Sequence, residues 1–199
     1  MISAIVLGAG VSSRLGRAKQ LLPFGEKTVI ERVVDNLLLS DIEELVVVLG
    51  HRAEEVAGLL VNKEVITVYN PDYKMGQSTS LIAGLESIEQ AATGILCMLG
   101  DQPLVKSETI NQLISHFKQS EQLIVAPKYQ GQLGNPIIFA TQLKSEMLMA
   151  SGDQGARWLL SKYRDRLKEI EVEDRGVILD IDTEADYRKL LSILTVDKV

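Results

Sequence analysis

The sequence predicts an α/β fold: a mostly parallel sheet covered by helices on both faces. Two observations carry this. Short, nearly continuous apolar runs alternate with segments of helical period, the pattern of strands buried on both sides by crossover helices. The composition is that of a globular chain of 199 residues, 46% hydrophobic and 24% charged. One domain spanning residues 1–199 can therefore bury a large core without staples.

The elements follow in order. Residues 3–7 (Ser-Ala-Ile-Val-Leu) are a buried strand ending at Gly8. A helix spans 27–40, where Val29, Ile30, Val33, Val34, Leu37 and Leu38 share a stripe. The second strand is 44–49, ending at Gly50; a short helix covers 53–61 and a third strand 65–69. Leu81, Leu85 and Ile88 place a helix over 78–91, and 94–99 is a fourth strand ending at Gly100. Ile110, Leu113, Ile114 and Phe117 mark a helix over 107–119, with Ser107 as its expected cap. Beyond it the pattern predicts strands at 122–127 and 135–140, helices at 141–150 and 153–163, and strands at 167–172 and 177–181. The last helix starts at a Thr183–Asp186 capping box, with Tyr187, Leu190, Leu191 and Leu194 on its apolar face. Ligands of such sheets bind beyond the carboxyl ends of the strands. The loops to inspect are therefore 8–19, 50–52, 70–80 and 100–106.

Charge narrows the function. Asp plus Glu number 27 against 21 Lys plus Arg, a formal net charge of -6. A general nucleic-acid binder needs a basic face, so that class is excluded; a small anion held by a few placed cations is not. One cysteine cannot form an internal disulfide. The N-terminus lacks the basic stretch and the apolar length of a signal peptide, and no apolar run approaches the roughly 18 residues of a membrane span. The expectation is a soluble, cytoplasmic protein with no membrane partner.

The first strand runs into Gly8-Ala9-Gly10-Val11-Ser12-Ser13-Arg14-Leu15-Gly16-Arg17-Ala18-Lys19. Glycines let the backbone approach a ligand and turn its amides toward an anion. Arg14, Arg17 and Lys19 add positive charge, so a triphosphate is a natural occupant. A plain strand-to-helix turn with solvated basic residues is the alternative. A P-loop is excluded because Gly16 is followed by Arg17 and Ala18. A dinucleotide fingerprint is excluded because its third glycine would fall at Ser13, and because the second strand ends in Leu49-Gly50-His51 rather than an acidic residue. After the fourth strand, Gly100-Asp101-Gln102-Pro103 places a carboxylate where Mg²⁺ would need one; the alternative is an Asp that closes a turn before Pro103. Asp180 and Asp182 lie two residues apart, on one side of an extended chain. The hydroxyl cluster Ser78-Thr79-Ser80 either caps a helix or presents donors to a ligand. Cys97, His116 and Trp158 read as core, helix-surface and packing residues; His51, after the second strand, is either an ordinary loop histidine or a nucleotide contact. No His/Cys cluster has zinc spacing.

Leu7-Gly8-Ala9-Gly10, Arg14-Leu15-Gly16, Lys19 and Leu22-Pro23 together resemble the signature of the MobA-like nucleotidyltransferases. Gly8 stands where Ala is more usual and Leu15 where Met is. The Gly-Asp-Gln-Pro string at 100–103 and the Asp-Ile-Asp-Thr string at 180–183 resemble further motifs of that family. So do Asn70-Pro71 with Gly76 to Leu81, Gly134-Asn135-Pro136 and Gly152-Asp153-Gln154-Gly155-Ala156-Arg157. The likeness spans Ile2 to Leu191 and is nearest the molybdenum cofactor cytidylyltransferase branch.

The resemblance implies a three-layer α/β/α, Rossmann-like nucleotide-diphospho-sugar transferase fold. It implies transfer of CMP from CTP to the terminal phosphate of molybdopterin or the molybdenum cofactor, with Mg²⁺ as cofactor. GTP, another phosphorylated acceptor, or a non-catalytic role in cofactor insertion are the alternatives, and a molybdoenzyme that receives the cofactor is a further partner. By the same likeness Arg14, Lys19 and Asp101 are catalytic. Leu7, Gly8, Ala9, Gly10, Ser12, Arg14, Lys19, Gly76, Gln77, Ser78 and Ser80 bind nucleotide. Gln102, Pro103, Asn135, Asp153 and Arg157 face the acceptor, Asn135 replacing a commoner His. Asp101 and Asp182 hold the metal, with Asp180 still a candidate for the second ligand.

Overall fold

The structure is a computed structural model that describes residues 1–12, 14–89 and 91–196, with side chains through Leu194. Ser13, in the first loop, and Gln90, in the predicted 78–91 helix, lie outside the described residues. In chain order the elements are β1 (Ile2–Leu7), β2 (Pro23–Phe24), β3 (Lys27–Thr28), α1 (Val29–Leu38), β4 (Glu44–Leu49), α2 (Ala53–Leu60) and β5 (Ile66–Tyr69). Then come α3 (Gln77–Ser87), β6 (Gly94–Leu99), α4 (Ser107–Lys118), β7 (Ile124–Tyr129), β8 (Gln132–Leu133) and β9 (Ile137–Ala140). The chain ends with α5 (Lys144–Met147), α6 (Trp158–Lys162), β10 (Leu167–Glu171) and α7 (Glu184–Val196).

One sheet has the order β10-β7-β9-β6-β1-β4-β5, with β8 paired to β7. β1 lies parallel to β4 and β6, β4 to β5, and β7 to β10. β9 runs antiparallel between β6 and β7. The central strands are apolar at successive positions because both faces are covered. Ala4, Val6, Val47 and Met98 pack with Ile30, Val33 and Leu37 of α1 and Ile110 and Leu113 of α4. Ile5, Val46, Val48 and Ile95 pack on the opposite face with Leu81 and Leu85 of α3 and with Met147 and Leu159. This is the three-layer α/β/α arrangement expected. A third cluster, Leu22, Phe24, Val29, Ile181, Tyr187 and Leu190, joins α7 to the β2–β3 hairpin. No helix among the described residues is long and apolar enough to cross a membrane.

Several expectations change. The 27–40 helix begins only at Val29, since Lys27 and Thr28 pair with β2. Thr28 caps α1 through a capping box, donating its N–H to Glu31 Oε2 at 2.8 Å. α3 stops at Ser87, where Ile88 leaves the helix with ψ 149. The helix expected over 153–163 shrinks to α6, because Gly155 takes a positive φ of 53 and interrupts its first turn. That over 141–150 divides into a 3-10 turn at Thr141–Leu143 and the short α5. Residues 177–181 form no strand. Arg175–Ile178 are a 3-10 turn pressed so closely on Leu104 that a Cβ on Gly176 would lie 2.4 Å from the Leu104 carbonyl oxygen. Nor does Ser107 cap α4. Asp174 reaches across instead, accepting from Lys106 N at 2.9 Å and Thr109 Oγ1 at 2.8 Å, and it fixes the turn by accepting from Gly176 N at 2.8 Å.

Candidate active site

The chain leaves β1 toward β4 on one side of the sheet, while β6 lies on the other. The loops after β1 and β6 part at this switch point and open a crevice. Their starts nearly touch: a Cβ on Gly100 would lie 3.0 Å from Gly8 Cα and from the Leu7 carbonyl oxygen. Above them is a cleft of about 550 Å³. Of the residues expected from sequence, it is lined by Leu7, Ala9, Gly10, Ser12, Arg14, Lys19, Gly76, Gln77, Ser80, Asp101, Asp153, Asp180 and Asp182. Val11, Gln20, Tyr73 and Lys74 also line it and were not singled out. Gly8 is buried beneath the loop, donating its N–H to the Val48 carbonyl at 3.0 Å.

The loop is compact. The Ser12 carbonyl accepts from Leu15 N and Gly16 N, each at 3.1 Å, and Ser12 Oγ accepts from Lys19 N at 3.1 Å. A Cβ on Gly10 would meet none of the described residues within 4 Å, and Gly10 lines the cleft. Arg17 does not join the anion site. It pairs with Glu184 at 2.6 Å and lies 5.5 Å from the centre of the Tyr187 ring, tying the loop to α7.

The charged floor is built from both ends of the chain. Asp101 follows β6; Asp180 and Asp182 sit on the irregular stretch between the 175–178 turn and α7. One carboxylate oxygen from each lies within 4.8 Å of the others. Lys19 Nζ is in ion-pair contact with Asp101 and lies 3.2 Å from Asp182 Oδ1. Arg14 Nη1 lies 3.1 Å from Asp182 Oδ2. Asp101 is 8% exposed, and its Oδ1 is buried with no hydrogen-bond partner among the described residues. Burial pushes the Asp101 carboxyl above its ordinary value; Lys19 opposes this, while Asp180 and Asp182 add to it. Burial also works against the Lys19 charge, yet Asp101 and Asp182 overcome it and hold the ammonium above its ordinary value. The Lys19 shift follows from the carboxylates around it, and the Asp101 shift first from burial. Such a donor set, all hard oxygen with one oxygen unsatisfied, suits a divalent cation.

The 70–80 segment forms the adjacent wall. Buried Asn70 donates to Thr79 Oγ1 at 2.9 Å and Ser80 Oγ at 3.0 Å, pinning the start of α3. Gly76 takes φ +115, and a Cβ there would lie 2.6 Å from the Gly152 carbonyl oxygen, so only glycine fits. Ser78 N donates to Gly152 O at 3.0 Å and Gln77 N to Asp153 Oδ1 at 3.3 Å, fastening this wall to the 152–157 segment. Ser78 itself is 1% exposed and does not line the cleft.

The acceptor candidates divide. Asp153 lines the main cleft. Asn135 and Arg157 line a small apolar pocket of about 60 Å³ that shares Leu7, Gln77 and Leu99 with it. Cys97 lines the same pocket, its thiol pushed up to about 12 by burial. Gln102 and Pro103 are buried away from both: Gln102 Nε2 donates to the Val177 carbonyl at 3.3 Å, and the Pro103 carbonyl accepts from Asn36 at 3.3 Å.

This architecture is shared with known proteins. The chain is 28% identical over 189 residues to the molybdenum cofactor cytidylyltransferase of Escherichia coli, covering 94% of this chain and 93% of that one. It is 28% identical over 199 residues to the nicotine blue oxidoreductase of Paenarthrobacter nicotinovorans, covering 96% of each. Among solved structures, Rv0371c of Mycobacterium tuberculosis is 34% identical with a TM-score of 0.88, covering 96% of this chain and 97% of that one. A second crystal structure of Rv0371c, in complex with manganese, is 32% identical with a TM-score of 0.83, covering 96% and 98%. Residues 4–167 match the MobA-like NTP transferase domain, and the chain belongs to that family.

Proposed function

We propose that the chain transfers CMP from CTP to the terminal phosphate of molybdopterin or of the molybdenum cofactor, with release of pyrophosphate. The observation that carries this reading is the meeting of Lys19, Asp101, Asp180 and Asp182 beneath a glycine loop at the switch point of the sheet. An oxygen of the acceptor phosphate attacks the α-phosphorus. The new P–O bond forms as the bond to the β-bridging oxygen breaks, and pyrophosphate leaves with that electron pair. Such a reaction asks little covalent chemistry of a protein; it asks for positioning and for neutralised charge.

The Ala9–Ser12 amides, Arg14 and Lys19 would receive the triphosphate, while the Gly8 amide is held by Val48. Lys19 is already charged and held in place, so it would meet the charge that grows on the phosphate oxygens. Asp101, with Asp182 or Asp180, would hold Mg²⁺. When bound, that ion supplies Lewis-acid stabilisation at the phosphate oxygens. The manganese complex of Rv0371c supports a divalent ion in this fold. Gly76, Gln77 and Ser80 would face the base and ribose; Asp153, Asn135 and Arg157 would face the acceptor.

The oxidoreductase relative offers a redox reading at equal identity. The carboxylate cluster with its paired lysine favours phosphoryl chemistry here, because hard oxygen donors beside a held ammonium suit a metal-bound polyphosphate. Guanylyl transfer keeps the same chemistry and changes the base. The test is pyrophosphate release with each of the four NTPs, with and without molybdopterin. CTP with molybdopterin should be fastest. A preference for GTP would move the chain to the guanylyl branch. Absence of pyrophosphate with every NTP would overturn molybdopterin as the acceptor and leave another phosphorylated acceptor, cofactor insertion or the redox reading.

A further inference from the structure

Beneath the 8–12 loop lies a side chain with no role in the reading above. Gln20 is 2% exposed, although Lys19 beside it reaches into the charged floor. Its Nε2 donates to the Gly8 carbonyl at 2.9 Å and to the Gly10 carbonyl at 3.0 Å. Two carbonyl partners require a donor there, which fixes the orientation of the amide. The other end, Oε1, is buried with no hydrogen-bond partner among the described residues. One end of this side chain is thus spent on the loop while the other goes unsatisfied, an arrangement that a residue serving only the core would avoid.

The geometry of the peptide bond gives the brace its consequence. In a trans peptide the carbonyl and the following N–H point in opposite directions. Drawing the Gly8 and Gly10 carbonyls onto Gln20 turns the N–H groups of Ala9 and Val11 away from it. Neither N–H has a protein acceptor among the described residues, and both residues line the cleft. We propose that Gln20 is a positioning residue for polyphosphate: it aims the Ala9 and Val11 amides, and acts through the loop rather than by its own contact with the anion. This rests on the nucleotidyl-transfer reading.

The test uses inorganic tripolyphosphate, without divalent metal, titrated calorimetrically into the parent, Gln20→Met and Gln20→Glu. The first variant keeps the bulk and loses both donors. The second keeps the shape and sets a carboxylate against two carbonyls. Each should bind tripolyphosphate at least roughly tenfold more weakly, the scale of one net hydrogen bond. CTP and GTP should weaken by the same factor, because the loop reads phosphate and not base. Thermal melts should fall in both variants, more in Gln20→Glu, because the buried Gly8 carbonyl loses its donor, while circular dichroism keeps the parent's form. Unchanged tripolyphosphate affinity in both variants would overturn the proposal. So would loss of the fold in both, or a loss of affinity for one nucleotide alone. Failure of the parent itself to bind tripolyphosphate would instead overturn the phosphate-loop reading on which the proposal rests.

Discussion

Lys19 stands on the ground a divalent cation would need. Its ammonium touches Asp101 and Asp182, two of the three carboxylates that converge there. On the proposed reading, a divalent ion and the ammonium would compete for the same oxygens. Lys19→Met should raise the affinity of the nucleotide-free protein for Mn²⁺ by tenfold or more, since removing one unit charge from a partly buried site is worth at least about 1.4 kcal/mol. Titration of the Mn²⁺ electron paramagnetic resonance signal reads this directly; unchanged or weaker binding would show that the lysine does not block the ion. Lys19 and Asp101 were legible in the sequence because glycines and a buried strand end point at them. Gln20 and Tyr73 were not, because a glutamine after a lysine and a tyrosine in a loop carry no spacing signal of their own. Gln102 and Pro103 follow Asp101 in the chain, yet they turn inward to Val177 and Asn36. Adjacency in sequence did not carry over to the cleft.

Elements were legible where an apolar run or a heptad-like stripe was complete. β1, β4, β6, α2 and α4 lie within a residue or two of their expected bounds. The 177–181 segment misled because Val177 and Ile181 are apolar for tertiary reasons. Val177 packs in the core beside α4, and Ile181 in the cluster under α7. The reversal of β9 was illegible, since residue pattern does not encode strand direction. One contact between elements makes a prediction about acid. Asp35 of α1 pairs with Lys27 of β3 and with Lys63 beyond α2. Burial opposes its ionisation, but these two lysines prevail and hold its carboxyl below the ordinary 3.8. A carboxyl depressed in the folded state contributes stability above its unfolded value and loses it as pH falls through the folded one. Asp35→Asn should therefore cost about 1 kcal/mol near pH 7. The deficit should shrink as pH drops below 3.8. Urea melts of both proteins across that range check it, and a deficit independent of pH would assign the loss to packing instead.

At the scale of the whole molecule, the sheet order explains why distant residues share one site. Only the neighbourhood of β1 and β6 brings the loops at 8–19 and 100–101 together. The stretch from 179 to 182 is carried over them because the Asp174-fixed turn sits against Leu104 and α7 closes on the β2–β3 hairpin. On the proposed reading, nucleotidyl transfer takes place at this convergence of carboxylates. It is tested most directly at Asp101, whose substitution by Asn keeps the shape and removes the charge. The measurement is pyrophosphate release by parent and Asp101→Asn across a Mg²⁺ titration, with the NTP and phosphorylated acceptor that the parent turns over fastest. Circular dichroism confirms the fold of each. A loss of about 4 kcal/mol in transition-state stabilisation, roughly a thousandfold in rate, is expected, with partial recovery at high Mg²⁺. Activity within a few-fold of the parent at low Mg²⁺ would contradict it, and would leave Asp101 as a residue that only closes the turn before Pro103.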